Sequence, residues 1–178
     1  MPVRIVWLSG WAGAGKDTIA AILCKKYDYT RVAFADSLKD IVSAKYGFDR
    51  GLCDTPDGKN SVILTLGKTV RQILIEDSAE AKKENINVFA EHVLAKIQAS
   101  RQTLFVVSDW RFPHEYECIS TALPNARHVR VRIIREGLQA LVDSSEHQLD
   151  DYSFDTTILN SCLKELEKDV IKFLLSIK

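Results

Sequence analysis

Ten residues near the start of the chain, Ser9-Gly10-Trp11-Ala12-Gly13-Ala14-Gly15-Lys16-Asp17-Thr18, limit what it can fold into more than any other stretch. They follow an apolar run, Val3 to Leu8, that reads as a buried strand. They precede an amphipathic run, Ile19, Ile22, Leu23 and Lys26, that reads as a helix. Gly10 and Gly15-Lys16 stand at the G-x-x-x-x-G-K spacing, and strand, loop, helix is the context that spacing requires. Glycines at 10, 13 and 15 let successive backbone N–H groups converge on one anion, in a concavity a Cβ would crowd. The helix that follows adds its positive dipole end and its unpaired first-turn donors. Lys16 is a mobile point charge suited to β and γ phosphates. The stretch Gly10 to Thr18 therefore predicts a nucleotide phosphate site.

One position departs from the usual pattern. Where Ser or Thr commonly completes the motif and touches Mg²⁺, this chain has Asp17, with Thr18 next. A carboxylate is a hard oxygen ligand that holds Mg²⁺ directly or through a bound water. Thr18 could then donate to an α-phosphate oxygen. The bland alternative is a glycine-rich turn in which Asp17 only complements the helix dipole.

At 178 residues the chain predicts one domain with an ordinary core. Lys plus Arg and Asp plus Glu both number 24, so no global charge draws it to nucleic acid or an anionic membrane. No apolar run approaches membrane-spanning length, and no signal peptide is expected. Cys24, Cys53, Cys118 and Cys162 lack C-x-x-C spacing, which favours reduced thiols in a cytoplasm over a disulfide framework or zinc site.

Along the chain, Tyr29 to Ala35 reads as a second strand, and Asp36-Ser37-Leu38-Lys39 opens a helix with Asp36 as its N-cap. Lys39 would sit one turn in, near the strand's carboxyl end, where open parallel sheets carry their sites. Residues 47–61 are rich in turn formers and predict an exposed loop or small insertion. From Val62 a helical pattern runs through Leu66, Val70, Ile73 and Leu74, with Arg71 on the adjoining face. A polar stretch from Glu76 to Asn85 should separate it from a helix marked by Ile86, Phe89, Val93 and Ile97.

Thr103 to Ser108 is the cleanest strand, apolar enough to be covered on both faces. Asp109 follows at its carboxyl end, as a metal or water-shell carboxylate or a partner orienting Arg111. Pro113 suits a helix's first turn, with Glu115 beyond. In His128 to Ile134, Val129, Val131 and Ile133 should face one way and His128, Arg130 and Arg132 the other. Such a strand belongs near a sheet edge, or its arginine stems run under a helix. Arg135 ends it, beside a polar segment from Glu136 to Asp151, and could cover a transferring phosphoryl group. The group Asp143-Ser144-Ser145-Glu146-His147 lacks the strained turn a hydrolase nucleophile needs. Thr156 to Leu159 is a last short strand before Asn160. Leu163, Leu166, Val170, Phe173, Leu174 and Ile177 form a helical core stripe.

Three pieces together, Ser-Gly-x-x-x-x-Gly-Lys-Asp-Thr at 9–18, Asp109-x-Arg111-x-x-His114-Glu115, and Asp155-x-x-Ile158-x-Asn160, resemble the deoxynucleoside monophosphate kinases of bacteriophages. Gly-Lys-Asp is the most specific of them, although animal-type phosphomevalonate kinases share it. The resemblance implies an α/β fold, a P-loop kinase-like three-layer α/β/α sandwich on a parallel, five-stranded sheet. It implies one domain over 1–178: a core of 1–46 and 101–178, a helical acceptor-site insertion over 47–100, and a lid over 136–151. It further implies that Lys16 and the loop hold ATP, with Asp17 near Mg²⁺. Asp36, Lys39, Arg71, Asp109, Arg111 and Glu115 would face the acceptor. Arg135 would border the lid, and Asn160 would lie near adenine.

The implied reaction is phosphoryl transfer from ATP·Mg²⁺ to a (deoxy)nucleoside 5′-monophosphate, with Lys16, Arg111 and Arg135 as the catalytic groups and no nucleic-acid or membrane partner. Catalysis would be alignment and charge neutralisation. The nearest rival is another small-molecule kinase such as a phosphomevalonate kinase. A nucleotide-dependent switch is disfavoured, because no Asn-Lys-x-Asp is present and Gln72 and Gln139 lack a supporting context. The resemblance points to the cytoplasm of a bacterium or phage-infected cell. A homodimer is compatible with these residues, but they do not fix an oligomeric state.

Overall fold

The computed structural model describes residues 2–139, 147–161 and 163–177. Five strands form one wholly parallel sheet in the order β2-β5-β1-β6-β7: β1 (Arg4–Ser9), β2 (Thr30–Val32), β5 (Leu104–Val107), β6 (Arg127–Ile134) and β7 (Thr156–Leu159). β1 is central, and Ile5, Val6, Trp7 and Leu8 are fully buried, as a strand covered on both faces must be. Alternation splits them between two cores. Val6 and Leu8 pack with α1 (Lys16–Tyr27) and α7 (Leu163–Ser176) through Ile19, Leu23, Leu166 and Val170. Ile5 and Trp7 pack with α2 (Phe34–Tyr46), α5 (Val88–Ala99) and α6 (Pro113–Ala122) through Phe34, Val93 and Ile119. The result is a three-layer α/β/α sandwich.

β6 lies one strand in from the β7 edge. Val129, Val131 and Ile133 face α1 and α7, as alternation predicts. On the other face Arg130 pairs with Asp155, Nη2 to Oδ1 at 2.8 Å, and lies over Tyr116 and Tyr152. Arg132 lies over Phe154 and donates to Asp150 at 2.5 Å. The arginine stems are thus roofed by Tyr116 of α6 together with Tyr152 and Phe154 of the segment entering β7, and their heads are neutralised by Asp155 and Asp150 of that segment.

Four local expectations are corrected. β2 stops at Val32 because α2 already begins at Phe34, so Asp36 lies inside the first turn and Ala33, without a side-chain bond, is the N-cap. Residues 47–61 are not simply loop: Asp49 caps a 3₁₀ turn, Arg50–Cys53, and Thr55 caps α3 (Pro56–Asn60). From Val62 the chain makes a hairpin, β3 (Val62–Ile63) against β4 (Lys68–Thr69), before α4 (Val70–Glu84) starts at a Thr69–Gln72 capping box. The polar stretch after Glu76 does not interrupt that helix. Its Glu, Ala and Lys residues are good helix formers, and Glu76, Glu80, Lys83 and Glu84 make a solvated face. Val42, Cys53, Val70, Ile73 and Leu74 form a small third core under this insertion.

Residues 143–146 and Cys162 lie outside the described residues, as does the middle of the expected lid. Cys24, Cys53 and Cys118 are free thiols. Among the described residues no helix is long and apolar enough to cross a membrane.

Candidate active site

The loop from Gly10 to Gly15 leaves β1 at its carboxyl end and delivers Lys16 to the first turn of α1. Gly10, Gly13 and Gly15 all have positive φ, at 150°, 79° and 108°. At Gly10 a Cβ would stand 2.5 Å from the carbonyl oxygen of Ile133, and at Gly15 2.5 Å from Nδ2 of Asn160. The loop is thus wedged between β6 and Asn160, the residue that follows β7. Lys16, only 9% exposed, donates from Nζ to the carbonyls of Gly10 at 2.5 Å and Trp11 at 3.0 Å.

Three flanking contacts fix this cradle. Asn160 Nδ2 donates to the carbonyl of Ala14 at 2.8 Å. Arg135 Nη1 donates to the carbonyl of Gly13 at 3.2 Å. Asp150 gathers Arg132, His147 (2.6 Å) and the Trp11 indole N–H (3.4 Å), tying the segment that enters β7 to the loop. A cleft of about 320 Å³ opens there, walled by Gly13, Gly15, Lys16, Asp17, Thr18, Arg135, Asn160, Ser161 and Leu166. The structure therefore brings Lys16, Asp17, Thr18, Arg135 and Asn160 together around one cleft.

Among the described residues no group of three or more His, Cys, Asp or Glu side chains could hold a metal ion. Asp17 and Thr18 are the oxygen donors in this cleft wall, together with Ser161 and Asn160. That donor set fits an Mg²⁺ carried mainly by phosphate oxygens and water, the arrangement this ion prefers.

A second cavity, of about 340 Å³, opens on the β2–β5 side of the same sheet edge. Phe34, Ala35, Leu38, Phe89 and Phe112 give it apolar walls, and Ser78, Lys82, Asp109, Arg111 and Glu115 give it polar ones. Asp109 accepts the N–H groups of Phe34 at 3.0 Å and Ala35 at 2.8 Å, one on each oxygen. Its carboxylate therefore caps α2 in place of a local N-cap, and a pairing with Arg111 is not its contact. Burial pushes its pKa up, against those two hydrogen bonds. Glu115, 6% exposed, accepts the N–H groups of Arg111 and Phe112 on Oε2, each at 3.1 Å. Burial pushes its pKa up to about 7, and the charge of Asp109 adds to the rise. Lys82 stands 4.9 Å above the Phe112 ring.

Asp36, Lys39 and Arg71 are not in this wall. Asp36 bonds Arg31 at 2.5 Å and Lys39 at 3.3 Å, and Lys39 also bonds Asp54 at 3.0 Å. Burial opposes ionisation of Asp36, but those two cations outweigh it and hold the carboxyl below its usual range. Arg71 is exposed on α4. Phe34, Leu38, Ser78, Lys82, Phe89 and Phe112 were not anticipated. Phe34 and Phe112 flank the ends of β2 and β5, which could have marked them; Ser78 and Lys82 fall in the stretch read as a helix break.

No protein-family model matches the chain, and no curated protein does. Solved structures do. A Thermus thermophilus protein, TT1252, superposes with a TM-score of 0.57 at 14% identity, over 99% of this chain and 98% of that one. An APS kinase from Mycobacterium tuberculosis, in complex with AMPPNP and APS, gives 0.52 at 12% identity over 98% of both chains. Shikimate kinase from Aquifex aeolicus gives 0.52 at 14% identity over 98% and 96%. The fold is that of the P-loop kinases. Within that fold the loop after β1 and the cavity after β2 and β5 share the carboxyl edge of the sheet, the edge at which open α/β sheets take ligands.

Proposed function

We propose that the chain is a nucleoside monophosphate kinase, transferring the γ-phosphoryl group of ATP to the 5′-phosphate of a (deoxy)nucleoside monophosphate. One observation carries the reading. Two cavities share one sheet edge: the first is walled by the glycine-rich loop and Lys16, the second by three phenylalanines together with Arg111. An aromatic wall suits a flat heteroaromatic ring, and an arginine suits a phosphate.

In this mechanism the backbone N–H groups of 10–16 and Lys16 hold the donor's β and γ phosphates. Asp17 and Thr18 would hold Mg²⁺, directly or through water, and when bound it would supply charge neutralisation to the phosphate oxygens. An acceptor phosphate oxygen forms the new P–O bond as the bond to the β-phosphate oxygen breaks, releasing ADP. That acceptor is already anionic, so no general base is required. Arg111 aligns it, and Arg135, one bond from the loop at Gly13, neutralises charge growing on the transferred group. Asn160 holds the loop's shape beside the donor nucleotide. The insertion over 47–100 supplies Ser78, Lys82 and Phe89 to the acceptor wall.

The test is ADP release with ATP, Mg²⁺ and a panel of deoxy- and ribonucleoside monophosphates. Strong stimulation by one or more of them is expected. Stimulation by mevalonate 5-phosphate alone would move the acceptor to another class, and bound ATP with no stimulation by any acceptor would sink the reading.

A further inference from the structure

Among the described residues, two buried side-chain oxygens have no hydrogen-bond partner, the hydroxyls of Tyr29 and Ser108. Tyr29 precedes β2, at the amino edge of the sheet, away from both clefts. Ser108 follows β5 at the carboxyl edge and is 1% exposed. Its N–H donates to the carbonyl of Val32 at 3.2 Å, so the ladder to β2 continues through it. Alternation then fixes the side it faces. Phe105 and Val107 belong to the core under α2, α5 and α6, and Val106 to the core under α1 and α7. Ser108 shares the face of Val106, and the β1–β5 register continues it beside Leu8. The hydroxyl thus lies in the layer beneath α1, whose first turn carries Asp17. A hydroxyl held there without a partner is costly, and an apolar side chain would pack as well.

Asp17 reaches toward the same end of the sheet. Burial works against the charge of Arg31 on β2, but Asp36, Asp109 and Asp17 together hold its pKa up. Asp17 therefore stands on the β2–β5 side of its cleft. P-loop NTPases hold Mg²⁺ with a Ser or Thr of the loop and an Asp from a neighbouring strand. Here the loop brings the carboxylate, and the strand end brings a hydroxyl on the face of α1. The acidic residue at that strand end, Asp109, turns instead to α2 and spends an oxygen on each of two N–H groups there. Carboxylate and hydroxyl have traded places. From this exchange and the orphaned hydroxyl, and resting on the ATP half of the kinase reading, we infer that Ser108 is a positioning residue for Mg²⁺, its Oγ completing the polar shell that Asp17 begins. Mg²⁺ keeps several waters and takes few protein ligands, so groups that hold those waters and ligands in place govern its binding.

Ser108→Ala separates this role from packing. A hydroxyl without a partner adds nothing to the free protein, so the variant should melt at or above the wild-type temperature. The same hydroxyl should be missed once Mg²⁺ is bound, because loss of such an outer partner costs about tenfold to a hundredfold in metal affinity.

The experiment titrates AMPPNP into wild type and Ser108→Ala by calorimetry, in EDTA and over a series of Mg²⁺ concentrations, with a thermal melt of each protein alone. The expected result is equal affinity in EDTA and a Mg²⁺ concentration for half-maximal tightening raised about tenfold in the variant. The same Mg²⁺ dependence in both proteins, an equal loss of affinity with and without Mg²⁺, or a lower melting temperature for the variant overturns the inference while leaving the kinase reading intact. Failure of the wild type to bind AMPPNP under either condition overturns both.

Discussion

The side-chain amide of Asn160 donates to the carbonyl of Ala14 at 2.8 Å and stands 2.5 Å from where a Cβ on Gly15 would sit. A residue at the end of the last strand thus sets the shape of a loop that follows the first. Gly15→Ala meets two penalties, a side chain at φ +108° and a collision with that amide. Together these should weaken binding of a non-hydrolysable ATP analogue by at least about tenfold, since strain of this kind is worth about 1–3 kcal/mol. Adding Asn160→Ala removes the collision and leaves the strain. Calorimetric titration of both variants should therefore show partial recovery in the double mutant. Full loss of coupling between the two changes would mean that Asn160 does not shape the loop.

Arg135 reaches the loop from the other side, through the carbonyl of Gly13, and lines the same cleft. A cation there matters most when charge develops on the transferred group, so its loss belongs to kcat more than to donor binding. Arg135→Ala should lower turnover by about 10³-fold, the lower end for arginines in this role. ATP affinity should change little. A variant that binds ATP poorly but turns over normally at saturation would remove Arg135 from the catalytic groups.

Asp109 poses a choice between two roles, because its two oxygens hold the first N–H groups of α2 while the residue also lines the second cavity. Removing the cap leaves those donors unpaired, and Asp109→Ala should destabilise the fold by about 1–2 kcal/mol in urea denaturation. Asp109→Asn keeps one oxygen and should lose less. If Asp109 instead held Mg²⁺, Asp109→Asn would raise the Mg²⁺ concentration needed for half-maximal turnover while leaving the denaturation midpoint in place.

Much of this architecture was legible in the residues. The five strands and the loop at the first of them follow from apolar runs, glycine spacing and a lysine, and their parallel arrangement from the resemblance that those motifs carry. The two faces of β6 follow from strict alternation at Val129, Val131 and Ile133. What misled were long-range partners. Asp36 looks like a cap because it precedes a helical pattern, yet the cap comes from Asp109, 74 positions from Ala35. Glu76 to Asn85 looks like a break because polarity, not periodicity, dominates it, yet the helix runs on to Glu84 and Ser78 and Lys82 of that stretch line the second cavity. The resemblance puts Lys39 and Arg71 near the acceptor, but Lys39 is claimed by Asp36 and Asp54, which no local pattern announces.

Glu115 gives the fold a measurable pH signature. Its carboxyl has an ordinary value of 4.5 and is pushed to about 7 by burial in the folded chain. Between those values the folded state holds a proton that the unfolded state has released, so stability falls as pH rises. The contribution is complete below the unfolded value and lost as pH climbs through about 7, and it amounts to on the order of 3 kcal/mol at most. His114 and His128 have pKa values lowered by burial and tilt the curve the other way. Asp36, Asp40, Asp54, Asp150 and Asp155 are all held below 3.8, so their contributions are lost only at more acidic pH. Asp109, whose pKa burial also raises, tilts the curve the same way. Comparing wild type with Glu115→Gln in urea from about pH 5 to about pH 8 therefore removes the Glu115 contribution together with its coupling to Asp109. The wild type should lose stability relative to the variant across that range. Parallel curves would mean that Glu115 is already ionised in the folded protein, and that the cavity floor is wetter than its burial implies.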